Sequence, residues 1–67
     1  MNEKYIIKIG KSYYSDKMDA KIGNKNMATA YTTEGVAYAK IQQLIKRYKG
    51  LEFSIIKIIE EEIKIKF

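Results

Sequence analysis

In the sequence LEFSIIKIIEEEIKIKF, residues 51–67, apolar residues recur at almost every second position. Seven of its nine odd-numbered positions are apolar, whereas most of its even-numbered positions are charged or polar. A repeat of two is typical of a β-strand with one buried face. One straight strand of this length would span roughly 56 Å, which is too long for so small a domain. We therefore expect the end, residues 60–67, to bend, to turn back as a further strand, or to be exchanged with another chain.

A helical pattern precedes this strand. Over residues 34–49, apolar side chains recur at helical spacing and form one stripe: Ala37, Ile41, Leu44, Ile45 and Tyr48. Thr32 or Thr33 is suited to cap the amino end, and Gly50 is suited to end the helix in the left-handed conformation. The sequence therefore predicts one amphipathic helix that packs its stripe against a sheet.

Three short strands are predicted before the helix. Residues 4–9 alternate, the dipeptide Gly10-Lys11 suits a two-residue hairpin loop, and residues 12–15 return as the second strand. The polar segment 16–26 is expected to be a mobile, basic surface loop, and residues 27–31 a third strand. The candidates for the sheet side of the core are Tyr5, Ile7, Ile9, Phe53 and Ile55. The expected fold is a single α+β domain, residues 1–67, in which one helix covers one face of a small antiparallel sheet. Its order is β-β-β-α-β, with a further strand at the end if the tail turns back.

The tripeptide Gly10-Lys11-Ser12 matches the end of a phosphate-binding loop. A loop of the Walker type also needs a glycine five residues earlier, where this chain has Tyr5 inside a predicted strand. It must in addition open a helix, and the sequence SYYS is a poor helix start. The tripeptide is therefore predicted to be a turn.

The chain has no cysteine and no histidine, which limits the chemistry that it can perform. Disulfides, the usual zinc ligand sets and the commonest general base are excluded. Asp16 and Asp19 lack the ligand spacing of an EF-hand calcium loop. We therefore expect a non-catalytic protein without cofactor or metal. A domain of this size then depends on idealised packing or on self-association, so a monomer and a homodimer both stay open.

The formal net charge of +5 favours an anionic partner. Twelve of the thirteen basic residues are lysines, which suits electrostatic steering better than specific readout by arginine. Binding is expected through the helix, the loop 16–26 and exposed tyrosines. The candidate partner-binding residues are Lys11, Tyr13, Tyr14, Lys17, Lys21, Lys25, Lys40, Lys46 and Arg47. The alternative is direct binding of nucleic acid, in which lysines neutralise phosphates and Tyr13 or Tyr14 stacks on a base.

No segment has the ~18 consecutive apolar residues of a membrane span, and the amino end leads directly into a strand pattern. The helix stripe is too modest for binding to a membrane surface. A soluble, cytoplasmic protein without a membrane partner is expected.

Four segments together resemble small α+β proteins encoded by bacteriophages: KYIIKI, YYSD, ATAYTTEGVAYAK and FSIIKII. In that group a small residue, an aromatic residue, a threonine and a glutamate introduce the helix. Here these are Ala28 or Ala30, Tyr31, Thr32 or Thr33, and Glu34. Some such proteins block host defences, including CRISPR systems. The resemblance therefore implies an anti-CRISPR-like inhibitor or adaptor that binds a host protein or ribonucleoprotein in the host cytoplasm, and it implies no catalytic residue.

Overall fold

The computed structural model describes residues 2–60, which form four strands, one α-helix and one short 3-10 turn. In chain order these are β1 (Asn2–Ile9), β2 (Ser12–Ser15), β3 (Ala20–Ile22), the 3-10 turn (Lys25–Met27), α1 (Glu34–Leu44) and β4 (Phe53–Glu60). The predicted α+β class and the order β-β-β-α-β are confirmed. The predicted bend, return or exchange of the tail falls largely on residues 61–67, which lie outside the described residues.

All strand pairs in the sheet are antiparallel, and the strand order is β3-β2-β1-β4. Gly10 takes a φ of +60°, so the predicted two-residue hairpin loop after β1 is confirmed. The longest pairing joins β1 to β4, from Ile9 opposite Phe53 to Asn2 opposite Glu60. The period of two in the carboxyl-terminal third therefore marks a real strand over residues 53–60.

The core lies between α1 and one face of the sheet. Its buried members come from both layers: Ile7, Ile9, Tyr14, Tyr31, Ala37, Ile41 and Leu44. Four partly buried side chains pack around them: Tyr5, Tyr48, Phe53 and Ile55. All five predicted sheet-side residues are therefore in or against the core. Tyr14 and Tyr31 are core residues that the sequence pattern did not predict.

The third strand is the main correction to the predicted architecture. Ala20–Ile22 forms β3 inside the segment that we expected to be a mobile loop, and the predicted strand over residues 27–31 is wrong. Tyr31 instead forms a single bridge with Tyr5. The Tyr31 amide donates to the Tyr5 carbonyl at 2.7 Å, and the Tyr5 amide donates to the Tyr31 carbonyl at 2.9 Å. Two features hide β3 in the sequence. The turn before it requires Asp19 at a φ of +48°, and a strand of three residues is too short to show a period of two.

The helix begins where it was predicted and ends earlier. The Thr33 hydroxyl accepts a hydrogen bond from the Val36 amide at 3.1 Å, so Thr33 is the cap. The regular helix stops at Leu44, whose carbonyl accepts from the amides of residues 47 and 48 in an irregular turn. Ile45, at the carboxyl-terminal cap, is 44 % exposed, so it does not belong to the buried stripe as predicted. Gly50 has the expected left-handed conformation, with a φ of +81°.

Candidate binding surface

The first of two candidate surfaces is the face of β1, β2 and β4 that points away from α1. Side chains alternate along a strand, so the residues between the core positions point to this second face. We call it the lysine–isoleucine face and define it by Lys4, Ile6, Lys8, Tyr13, Ile56 and Ile58.

The strand register brings these six side chains together. Ile6 lies opposite Ile56, Lys4 lies opposite Ile58, and Lys8 lies opposite Tyr13 on the other side. Ile6 is only 2 % exposed, whereas Ile56, Ile58 and Tyr13 are half-buried. The paired positions from Lys4 opposite Ile58 to Lys8 opposite Ser54 contribute no aspartate or glutamate to this face. The face therefore combines an aliphatic centre with positive charge.

The second surface joins the turn between β2 and β3 to the helical segment. Asp19 accepts a hydrogen bond from the Tyr14 hydroxyl at 2.8 Å and forms an ion pair with Arg47 at 3.0 Å. Asp16 accepts from the Tyr31 hydroxyl at 3.0 Å and lies 3.3 Å from the Lys40 ammonium. We call these six residues the turn–helix cluster.

The electrostatics of the turn–helix cluster are those of a structural contact. The hydrogen bond from Arg47, followed by that from Tyr14, holds the pKa of Asp19 below its ordinary value of 3.8. Burial, followed by the hydrogen bond to its aspartate, raises the pKa of Tyr14, and burial likewise raises that of Tyr31. Each charge therefore faces an opposite charge or a hydroxyl donor within the chain. The cluster therefore stabilises the contact between the β2–β3 turn and the helical segment.

The structure does not bring the nine predicted binding residues together. Tyr13 lies on the lysine–isoleucine face, and Lys11 lies exposed in the hairpin loop after β1. Tyr14 is not at the surface as expected, because its side chain is only 1 % exposed and packs in the core. The adjacent tyrosines therefore have different roles.

The remaining predicted residues divide into two groups. Lys40 and Arg47 belong to the turn–helix cluster, and the Lys21 ammonium lies 5.3 Å from the centre of the Tyr48 ring. The others are exposed on separate elements: Lys17, Lys25 and Lys46. Three of the seven basic residues in the prediction therefore contact other side chains of the chain.

Sequence reasoning missed Lys4, Lys8, Ile56 and Ile58 as a surface. The signal was present, since Ile56 and Ile58 are the two apolar exceptions among the even positions of the last strand. They form a surface only together with β1, which places Ile6 opposite Ile56 and between Lys4 and Lys8. Only the register between β1 and β4 reveals that pairing.

The part of the chain that the structure describes offers neither a metal site nor a cavity. Within residues 2–60 there is no group of three or more side chains suited to hold a metal ion, and no cavity. No helix there is long and apolar enough to cross a membrane. Comparison with models of protein families, with curated proteins and with solved structures gave no match.

Proposed function

We propose that this protein is a non-catalytic binding module that attaches to a protein of a larger complex through its lysine–isoleucine face. The observation that carries this proposal is the row of isoleucines on the sheet face opposite the helix. An antiparallel sheet with one solvated face normally alternates apolar residues inside with polar residues outside. Here Ile56 and Ile58 interrupt that alternation and are half-buried. A partner that covered them would remove further apolar surface from water, and each Å² buried would contribute about 25 cal/mol to the binding free energy.

The charge on the face selects the kind of partner. Lys4 and Lys8 flank the aliphatic centre on β1, and Lys11 follows in the adjoining loop. Protein interfaces commonly have an apolar centre and a polar rim, and complementary charge guides the approach of the partner. The face therefore fits a protein surface that presents apolar side chains surrounded by aspartate or glutamate.

A nucleic acid fits the same face less well. Surfaces that bind single strands stack successive bases on several aromatic side chains. Tyr13 is the one aromatic residue among the six that define the face, and the centre is aliphatic. Tyr14, the other predicted stacking residue, is buried with its hydroxyl bound to Asp19.

The role of this binding follows from the resemblance to small bacteriophage proteins. A small module that occupies one surface of a host complex acts either by blocking that surface or by linking two components. We therefore propose an inhibitor or adaptor, with a host protein or ribonucleoprotein as the partner. The partner would be recognised by its acidic, apolar surface.

The test is a capture experiment with charge-reversed variants. The experiment compares three tagged proteins: the wild type, Lys8→Glu and the control Lys46→Glu. Each is first used to capture partners from host lysate, and its binding to the purified partner is then measured. Lys46 is exposed and lies outside the face, so both variants make the same change of charge. We expect Lys8→Glu to lose the stoichiometric partner and Lys46→Glu to retain it, with unchanged circular dichroism in both.

Two results would overturn the proposal. One is the absence of any stoichiometric protein partner, and the other is a partner that Lys8→Glu retains. Titration of single- and double-stranded oligonucleotides at two salt concentrations completes the experiment. Salt-dependent binding that is tighter than millimolar and is lost in Tyr13→Ala would show that the partner is a nucleic acid and not a protein.

A further inference from the structure

We infer that the outer edge of β4 pairs with β4 of a second copy of this chain, in antiparallel orientation around a two-fold axis at Ile56. This inference concerns the edge of the sheet and does not depend on the proposed function, which concerns its face. It rests on the direction of the backbone groups in β4, on the charges along that strand and on the fit of the strand to itself.

The hydrogen bonds of β1 show which groups of β4 point outward. The Gly10 amide donates to the Glu52 carbonyl at 2.8 Å, so the next pair, Ile9 and Phe53, is one without direct hydrogen bonds. Alternation then turns the amides and carbonyls of the odd-numbered β4 residues away from β1. These are Phe53, Ile55, Lys57 and Ile59. Consistently, the amide and carbonyl of Tyr5 point to the other side of β1, where they bond Tyr31.

Among the residues that the structure describes, nothing gives this edge the usual protection of an edge strand. Natural edges are shortened, bulged, covered, or guarded by proline or a charge. Within residues 2–60 no element pairs with the outer side of β4, which runs for eight residues without proline. Lys57 is the one charged residue among the four outward-facing positions, and its ammonium lies 3.2 Å from the Glu3 carboxylate on β1. The charge that would repel a second strand is therefore paired within the chain.

The strand complements itself in one register. With the axis at Ile56, Phe53 lies opposite Ile59 of the second copy, and Ile55 lies opposite Lys57 of the second copy. All four outward-facing residues then form pairs that exchange two hydrogen bonds each. Moving the axis to Ile55 or to Lys57 leaves one residue unpaired, and the latter also sets Lys57 against itself.

The apolar contacts favour the same register. Ile59 is 52 % exposed in the single chain, and the partly buried ring of Phe53 would cover it from the second copy. The axis is perpendicular to the sheet, so both helices lie on one side and both lysine–isoleucine faces on the other. A single strand ladder covers less than the ~1,000 Å² of a typical stable interface. The dimer should therefore form reversibly, in proportion to concentration.

Cysteine cross-linking tests the register directly, because the chain contains no cysteine of its own. In Ile56→Cys the two thiols face each other across the axis, where Cα atoms of a pair without direct hydrogen bonds are about 4.5 Å apart. That distance permits a disulfide. The matched control is Ser54→Cys, whose thiol lies four residues from its own counterpart, or about 13 Å. We expect Ile56→Cys to oxidise to a covalent dimer several times faster than Ser54→Cys.

Sedimentation of the full chain tests the association itself. The mass of the wild-type protein should rise with concentration toward that of a dimer. Ile59→Pro removes an amide that makes no bond within the chain, so it should keep the circular dichroism of the fold and remain monomeric. Ile59→Val keeps the amide and should dimerise. A wild-type monomer at every concentration, or equal oxidation of Ile56→Cys and Ser54→Cys, would overturn the inference.

The two proposals fail separately. Lys8→Glu leaves the β4 edge unchanged, so loss of the host partner in that variant does not alter the mass in solution. Ile59→Pro leaves Lys8 and the aliphatic centre unchanged, so a monomeric variant still presents the face to the partner.

Discussion

Replacing Tyr14 with alanine is expected to destabilise the fold far more than replacing the adjacent Tyr13. The two residues have the same side chain and neighbouring positions on β2, but they point to opposite faces. Tyr14 is 1 % exposed and packs with the core under α1. Tyr13 is half-buried on the lysine–isoleucine face.

The magnitude follows from the burial of each ring. Truncating a fully buried large aromatic side chain costs about 3–5 kcal/mol. At about 0.05–0.15 kcal/mol per residue, a domain of this size has a total unfolding free energy of roughly 3–10 kcal/mol. Tyr14→Ala should therefore remove a third or more of that stability. Tyr13→Ala, which loses only partial contacts, should cost about 1 kcal/mol or less.

Urea unfolding followed by far-ultraviolet circular dichroism measures both losses. If Tyr14→Ala is unfolded before urea is added, the graded comparison uses Tyr14→Phe and Tyr13→Phe. The Tyr14 hydroxyl donates to Asp19 at 2.8 Å, so Tyr14→Phe should lose about 1 kcal/mol and melt about 4–8 °C lower. Tyr13→Phe should be nearly neutral. Equal losses from the two alanine variants would refute the assignment of the faces.

Three further perturbations test the local structure, each by urea unfolding. Thr33→Ala should cost about 1 kcal/mol because it removes the helix cap, whereas Thr32→Ala should cost almost nothing; equal effects would contradict the cap. Gly35→Ala should stabilise the protein by about 0.5–1 kcal/mol, since nothing lies within 4 Å of an added Cβ in the first helical turn; a loss of stability would contradict this. Arg47 lowers the pKa of Asp19, so the stabilisation from this carboxylate is complete above its ordinary value of 3.8 and is lost as pH falls through the folded pKa. The stability gap between wild type and Asp19→Asn should therefore narrow below about pH 4, and an unchanged gap would refute the ion pair.

The parts of the fold that the sequence predicted are those fixed by local chemistry. Each of these features involves residues that are only a few positions apart in the chain. They are the period of two around residues 53–60, the helical stripe through Ala37 and Ile41, and the threonine cap. The hairpin loop at Gly10 likewise depends only on a left-handed backbone position between two strands. Such features are present in the chain before any distant contact forms.

The parts that it missed depend on contacts between distant residues. Asp19 is held by Arg47, which lies 28 positions away, and Asp16 is held by Tyr31, which lies 15 positions away. These bonds fix the turn that allows β3 to pair with β2. In the sequence the same aspartates lie in a polar, lysine-rich segment, which is typical of a solvated loop. No local sequence pattern distinguishes a turn that is held by distant residues from a solvated loop.

The candidate surface was only partly predictable for a related reason. Net charge and lysine content show that basic residues are plentiful, but they do not show which of them already have partners. The structure pairs Lys40 with Asp16 and Arg47 with Asp19, which removes both from the expected binding surface. Lys8 becomes part of the candidate binding surface because the register of β1 and β2 places it opposite Tyr13.

The composition of β4 connects the two proposals. The strand carries Ile55 toward the helix and Ile56 and Ile58 toward the opposite face, so it is apolar on both sides. Strands of that kind are normally interior ones, covered on both faces and paired on both edges. Within the described chain, β4 has α1 on one face and β1 on one edge, which leaves the other face and edge without cover. A partner on the lysine–isoleucine face would supply the missing face, and a second copy would supply the missing edge. The two proposals together would account for a strand that is apolar on both faces, and each variant pair tests one of them without the other.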